Sequence, residues 1–389
     1  MRTPSPAFWK PQRVFITGHT GFKGGWLAIW LKMLGATIRG YALAPDTTPA
    51  FFDAAGIAAL TSGDFGDIND VGQLAGALAA FRPTIVVHLA AQALVRRSYL
   101  QPYNTFATNL VGTVNVLEAA RGIPGIGAVF IVTSDKCYED QPEARPFREI
   151  DRLGGRDPYS ASKACAELAT QSYFWSFFRH SGCAVASGRA GNVIGGGDWA
   201  PDRLVPDLVR AFQSGAPAVL RNPDATRPWQ HVLEPLNGYL LAIEHMFRRP
   251  GAVPAAWNFG PDLAGTRNVS RVAKAVAAEW GDNARVTLQM NADEVKEAML
   301  LSVDSTKART QLGWFPCWNI DEAIRQTVHW YRAFYRGDDA RKLCRQQIED
   351  FTAAAEAGSS VDEMEALTLS AFGPQSPAPA MVFHPEASC

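Results

Sequence analysis

Short apolar runs alternate with helical stretches along the first half of the chain. Arg13-Val14-Phe15-Ile16-Thr17 is an apolar run closed by Gly18 and reads as a strand. Trp26 to Leu34 follows with helical spacing, and Gly35 supplies the stop signal. Thr37 to Ala42 predicts a second strand. Thr84 to Leu89 and Ala128 to Thr133 are apolar and β-branched, the composition of strands buried on both faces of a sheet. Between them Asn109 to Arg121 has helical character. Strand and helix in alternation predict an α/β fold built on a Rossmann-type, doubly wound parallel sheet.

The texture changes after about residue 185. Gly195-Gly196-Gly197-Asp198-Trp199 reads as a loop, Leu204 to Gln213 as a helix and Pro217 to Asn222 as a short strand. The stretches 222–235 and 257–270 are rich in Pro, Gly and Trp, which suits the lining of a site. Thr306 to Leu312 and Ile320 to Tyr335 predict helices. The expected organisation is a dinucleotide-binding domain over residues 1–185 and a smaller, mixed substrate-binding domain over 186–350, interleaved with the first. Residues 351–389, with Ser359-Ser360 and Gln375-Ser376-Pro377, predict a flexible tail.

Composition narrows the function classes. A formal net charge of −1 leaves no global field for nucleic acid or anionic lipid, so any anionic ligand must be held by local arginines and backbone N–H groups. The six cysteines are scattered without metal-ligand spacing, which predicts reduced thiols and no metal site. The first twelve residues lack the apolar segment of a signal peptide, and no uncharged apolar run approaches a membrane span. A cytoplasmic location is expected.

Two motifs carry chemistry. Gly18-His19-Thr20-Gly21-Phe22-Lys23-Gly24 places a G-x-x-G-x-x-G turn between the first strand and the first helix. Such a turn lets backbone approach a pyrophosphate, whose charge is met by N–H groups at the helix N-terminus. No acidic residue ends the second strand; Arg39-Gly40-Tyr41 stands there, with Asp46 further on. Arg39 could greet a 2′-phosphate or be a solvated strand residue, whereas Gly66-Asp67-Ile68 is better placed for the adenine end, which favours NAD. The second motif is Tyr159-Ser160-Ala161-Ser162-Lys163, whose tyrosine and lysine share one helix face at i and i+4. An ammonium beside a phenol lowers its pKa from about 10 towards the working range, making the tyrosine a base for a sugar hydroxyl.

These motifs, with His88-Leu89-Ala90-Ala91, resemble those of the extended short-chain dehydrogenases that act on nucleotide sugars. Longer strings are similar to the CDP-glucose 4,6-dehydratase branch: Gln92 to Tyr99, Thr133-Ser134-Asp135-Lys136-Cys137-Tyr138, Arg189 to Trp199 and Arg227-Pro228-Trp229-Gln230-His231-Val232. The resemblance spans residues 9 to 350 or so. It implies a hydro-lyase of deoxysugar biosynthesis with recycled NAD, acting on CDP-glucose as a homodimer or homotetramer. It also implies a cofactor site from Gly18, Thr20, Gly21, Phe22, Gly24, Asp67, Ile68, Leu89, Ala90, Ala91, Tyr159 and Lys163. Tyr159 would take the C4 hydroxyl proton, with Lys163 holding the tyrosine. Ser134 would donate to the C4 oxygen, and Asp135, if raised by burial, would be the acid at C6. Lys136 would be the C5 base if burial beside Lys163 stripped its charge, or else an electrostatic prop. Arg227 is the leading phosphate contact, and Arg97, Ser98, Asn192, Arg203 and Leu204 complete the substrate set.

Other readings differ in class. A nucleotide-sugar 4-epimerase shares fold and cofactor but has no use for an acid–base pair at C5 and C6, which Asp135 and Lys136 would supply. A non-catalytic dinucleotide sensor has no chemical reason to keep Tyr159 and Lys163. His231 reads as a hydrogen-bonded structural residue, and Trp199, Trp229 and Trp257 as core or pocket wall.

Overall fold

The computed structural model describes residues 1–371 apart from 142–144, 221, 250–254, 263–264, 282–283 and 289–300. Its centre is a seven-stranded sheet in which every neighbouring pair is parallel. β1 (Arg13–Thr17), β2 (Thr37–Ala42), β3 (Ser62–Phe65), β4 (Ile85–His88), β5 (Ala128–Val132) and β6 (Ala184–Ala190) are joined by a last strand, Ala255–Phe259. The spatial order is Ala255–Phe259, β6, β5, β4, β1, β2, β3. Strand order therefore reverses between β1 and β4, the position at which doubly wound sheets open a crevice beyond their carboxyl ends.

The apolar runs make continuous strands because both faces are covered. Val14 and Ile16 of β1 enter one core and Phe15 the other; Ile85 and Val87 of β4 divide from Val86 in the same way. Helices Phe22–Met33 and Leu233–Phe247 cover the first face, Val71–Phe81 and Gly112–Arg121 the second. The predicted strands and helices fall within a few residues of their expected places.

Two expectations change. The start of the 257–270 stretch, whose Pro, Gly and Trp content suggested a site lining, belongs to an edge strand of the main sheet, Ala255–Phe259, paired to β6; Trp257 there is buried core, one of its two expected places. Residues 351–371 are not a tail but continue the helix Ala340–Ala371; the rest of the expected tail lies outside the described residues. Phe351 and Ala355 are buried in the core, which anchors that helix. No described helix is long and apolar enough to cross a membrane.

Beyond the carboxyl ends of the strands, three two-stranded pairs build a second wall. Val193–Ile194 pairs with Gln230–His231, Thr226–Pro228 with Thr266–Asn268, and Ala218–Leu220 with Val286–Leu288.

Candidate active site

One cavity of about 940 Å³ runs between the strand ends and that wall. Its floor is set at the crossover point. Gly18 follows β1 with φ +78°, and a Cβ there would lie 2.6 Å from the Ala90 nitrogen. A Cβ on Gly24 would lie 2.1 Å from the Gly18 oxygen. The turn and the start of the Phe22–Met33 helix are thus pressed against the end of β4 so closely that only backbone fits. Gly21 caps that helix without a side-chain hydrogen bond, which leaves its first N–H groups for an anion. Gly18→Ala combines a left-handed backbone, costing a side chain about 1–2 kcal/mol, with a clash against backbone. At least about tenfold weaker dinucleotide binding is the expected outcome by calorimetry; unchanged affinity would remove the turn from the cofactor site.

All twelve residues assigned to the cofactor line this cavity. Arg39 does not, so the choice between its two readings goes against phosphate recognition, and Leu43 to Thr47 line the mouth instead. Arg97 donates to Asp46 there at 3.1 Å, which ties its guanidinium to the segment after β2. Ser98 does not line the cavity: it is fully buried in the Val95–Leu100 helix, with its hydroxyl donating to the Val95 carbonyl at 2.6 Å. Its helix position turns it inward, a direction that string similarity does not encode.

The chemistry gathers where β5 ends. The chain leaves the sheet after Val132, and Ser134 caps a short turn by accepting from the Lys136 N–H at 3.2 Å. The Ser134 hydroxyl also lies 3.1 Å from Asp135 Oδ1. Asp135 is buried, its Oδ2 has no hydrogen-bond partner, and desolvation raises its pKa against the pull of Lys136, Ser134, Arg227 and Lys23. Facing it is the helix Pro158–Tyr173, started by Asp157, which accepts from the Ser160 N–H, and by Pro158 in the first turn. This start sets Tyr159 and Lys163 on the inner face, both buried.

Here the electrostatics depart from expectation. Burial pushes the Tyr159 phenol up to about 12, outweighing its hydrogen bond with Ser134, and Lys163 is not among the leading influences on it. Lys163 itself is lowered to about 8 by burial, and its ammonium donates to the Val132 carbonyl at 3.3 Å. Lys136 lines the cavity but is only half-buried, not enclosed beside Lys163 as the C5-base reading required.

Sequence reasoning passed over a lysine that the fold brings in. Lys23, in the glycine turn, lines the cavity and is lowered to about 8 by burial first and then by Arg203, with Asp135 among the groups acting on it. The signal was a lone lysine inside a turn otherwise built for backbone contact. On the opposite wall Arg203 donates to Asp198 at 2.7 Å, and Asn192 and Leu204 line the cavity nearby. Arg227 is buried, lines the same wall and donates to the Thr226 carbonyl. His231 lies outside the cavity lining, its Nδ1 accepting from the Leu233 N–H and its ring packed edge-on to Trp26 and Trp318.

The sequence profile of the GDP-mannose 4,6 dehydratase family matches residues 15–327. The chain belongs to this family. Among its relatives, a CDP-glucose 4,6-dehydratase from Salmonella typhimurium is 43% identical over 352 residues, covering 89% of this chain and 98% of the relative. A solved dTDP-glucose 4,6-dehydratase from Streptomyces venezuelae, with NAD and TYD bound, is 25% identical with a TM-score of 0.70, over 82% of this chain and 97% of that one. A UDP-glucose 4-epimerase from Thermotoga maritima, solved with UDP-glucose, has a TM-score of 0.72 at 21% identity over 83% of this chain and 99% of that one, a likeness of fold alone. The dehydratase family and the strand order agree, while fold likeness by itself does not separate dehydration from epimerisation.

Proposed function

We propose that the chain dehydrates CDP-glucose to CDP-4-dehydro-6-deoxyglucose, with NAD recycled within each turnover. The observation that carries this reading is Asp135: a buried carboxyl group with a free oxygen, next to Ser134 in the cavity that also holds Tyr159. A carboxyl whose pKa is raised by burial holds its proton more readily and is an acid for a departing hydroxyl, which an epimerase does not need. The 43% identity to a CDP-glucose 4,6-dehydratase over nearly the whole of both chains supports the choice of nucleotide.

The residues present fit a dinucleotide. Gly18, Gly21 and Gly24 provide backbone approach and an uncapped helix start for the pyrophosphate, and Asp67, Ile68 and Leu89 to Ala91 wall the remaining length. When bound, NAD would supply the oxidation at C4 and the matching reduction at C6. The chain's own groups supply the rest. Tyr159 accepts the C4 hydroxyl proton while Ser134 donates to the same oxygen, and Lys163 stabilises the phenolate. A carbonyl at C4 acidifies the C5 proton, and we assign its removal to Lys136 at the cavity edge, acting as the neutral amine once bound substrate covers it. Asp135 protonates the C6 hydroxyl, which leaves as water. Arg227 and Arg203 meet the substrate diphosphate on an otherwise near-neutral protein, with Asn192 beside them. An oligomer accords with this reading: Val111, Leu168, Trp175 and Phe177 are exposed on the two neighbouring helical stretches 102–121 and 158–178.

Purified protein incubated with NAD and, separately, CDP-, dTDP-, UDP- and GDP-glucose tests the function. Loss of one water from CDP-glucose without net reduced cofactor is expected; an isomeric product would move the epimerase to first place. Lys136→Ala tests the base: deuterium entry from solvent at C5 is expected to stop while C4 oxidation continues, and normal entry would remove Lys136 from that step.

A further inference from the structure

Behind the Ser134 turn lies a buried ionic cluster that the reaction does not use directly. Glu167 and Arg189 form an ion pair at 2.7 Å, with each side chain only 1% exposed. Glu167 also accepts from the Thr133 hydroxyl through one oxygen and from the Ser187 hydroxyl, at 2.7 Å, through the other. Arg189 continues the chain by donating to the Tyr138 hydroxyl at 2.8 Å, which in turn donates to Asn258 at 2.7 Å. One carboxylate thus ties together the end of β5, the strand β6 and the helix Pro158–Tyr173. A buried ion pair is a poor source of stability, because desolvating both charges costs about what their attraction returns. Its placement gives it another use.

Thr133 is the residue before Ser134, and Glu167 lies one turn beyond Lys163 and two beyond Tyr159 on the same buried helix face. We propose that Glu167, held by Arg189, is a positioning residue for the reaction: it clamps the Ser134 turn to the catalytic helix through Thr133 and sets a carboxylate one helical turn from Lys163. The proposal rests on the assignment of Tyr159 and Lys163 above. The groups around Lys163 leave this task to Glu167. On its own helix stand Tyr159 and Glu167; from the turn after β5 comes Cys137, whose thiol burial pushes up; from β4 comes His88, which burial pushes down to about 3; and from the glycine turn comes Lys23. Glu167 is the fully buried carboxylate acting on Lys163. Burial raises its own pKa, but Arg189 and three hydrogen bonds together hold it low.

The sign of the effect is fixed. Lys163 already loses its proton at about 8 because burial disfavours its charge, so activity that needs the ammonium falls as pH rises through that range. Removing the Glu167 charge lowers Lys163 further, and the alkaline limb moves to lower pH.

The test is the pH profile of C4 oxidation, read in single turnover as bound reduced nicotinamide so that the Asp135-dependent elimination does not enter, for Glu167→Gln and for the double variant Glu167→Gln/Arg189→Met, which removes the pair without stranding a buried cation. In each folded variant the alkaline limb is expected to move down by roughly one pH unit, with kcat reduced more than KM is changed. A limb that stays in place in either folded variant overturns the proposal, because a purely structural role changes the amount of active enzyme and not its titration. Wild-type turnover in Tyr159→Phe would instead remove the assignment on which the proposal rests.

Discussion

Tyr159→Phe is expected to lower kcat by roughly 10²–10⁴-fold, the usual contribution of a positioned acid–base group, while calorimetric affinity for CDP-glucose changes only a few-fold. The substitution deletes one oxygen from a buried residue whose ring stays in place, so the fold and the cavity survive. What disappears is the acceptor for the C4 hydroxyl proton and the partner of the Ser134 hydroxyl. Burial sets the phenol at about 12, so at neutral pH it works only when its charged form is favoured, and Lys163 is the buried cation one turn along the helix. Turnover within a few-fold of the unsubstituted enzyme would remove Tyr159 from the redox step.

Asp135→Asn is expected to produce a different failure. The side chain keeps its size in a tight place, since a Cβ on the neighbouring Gly191 would lie 2.6 Å from Asp135 Oδ2. The proton donor is lost, so elimination stalls after C4 oxidation: overall turnover falls by roughly 10²–10⁴-fold, and bound reduced nicotinamide accumulates and is read by its absorbance. The sign for pH follows from the same carboxyl. Burial raises its pKa, and as pH rises through that raised value the acid is lost, so elimination slows on the alkaline side. Wild-type product formation by this variant would assign the C6 acid elsewhere.

The contrast between these variants shows what was legible in the amino-acid order. The strand Arg13–Thr17 and the helices Leu204–Gln213 and Ile320–Tyr335 were readable because their burial patterns are local: a strand covered on both faces is an unbroken apolar run, and a helix repeats its apolar face every turn. The cofactor turn was readable for the same reason, since Gly18 and Gly24 report a backbone contact between neighbours in the chain. The strand Ala255–Phe259 was not, because its place depends on pairing with β6 some seventy residues earlier. Ser98 belonged to a string whose resemblance was sound, but the string does not tell which side of a short helix faces the cavity. Lys23, Glu167 and Arg189 acquire their meaning only when β5, β6 and two helices meet, and the charge state of Tyr159 depends on burial that no spacing expresses.

One cavity that oxidises C4, expels water across C5 and C6 and reduces C6 without releasing reduced cofactor must carry the C4 hydride through to C6. CDP-glucose carrying deuterium at C4 follows that transfer. The deuterium is expected at C6 of the 6-deoxy product, with no net reduced cofactor formed. Deuterium retained at C4, or lost from the sugar, would rule out an internal hydride transfer from C4 to C6.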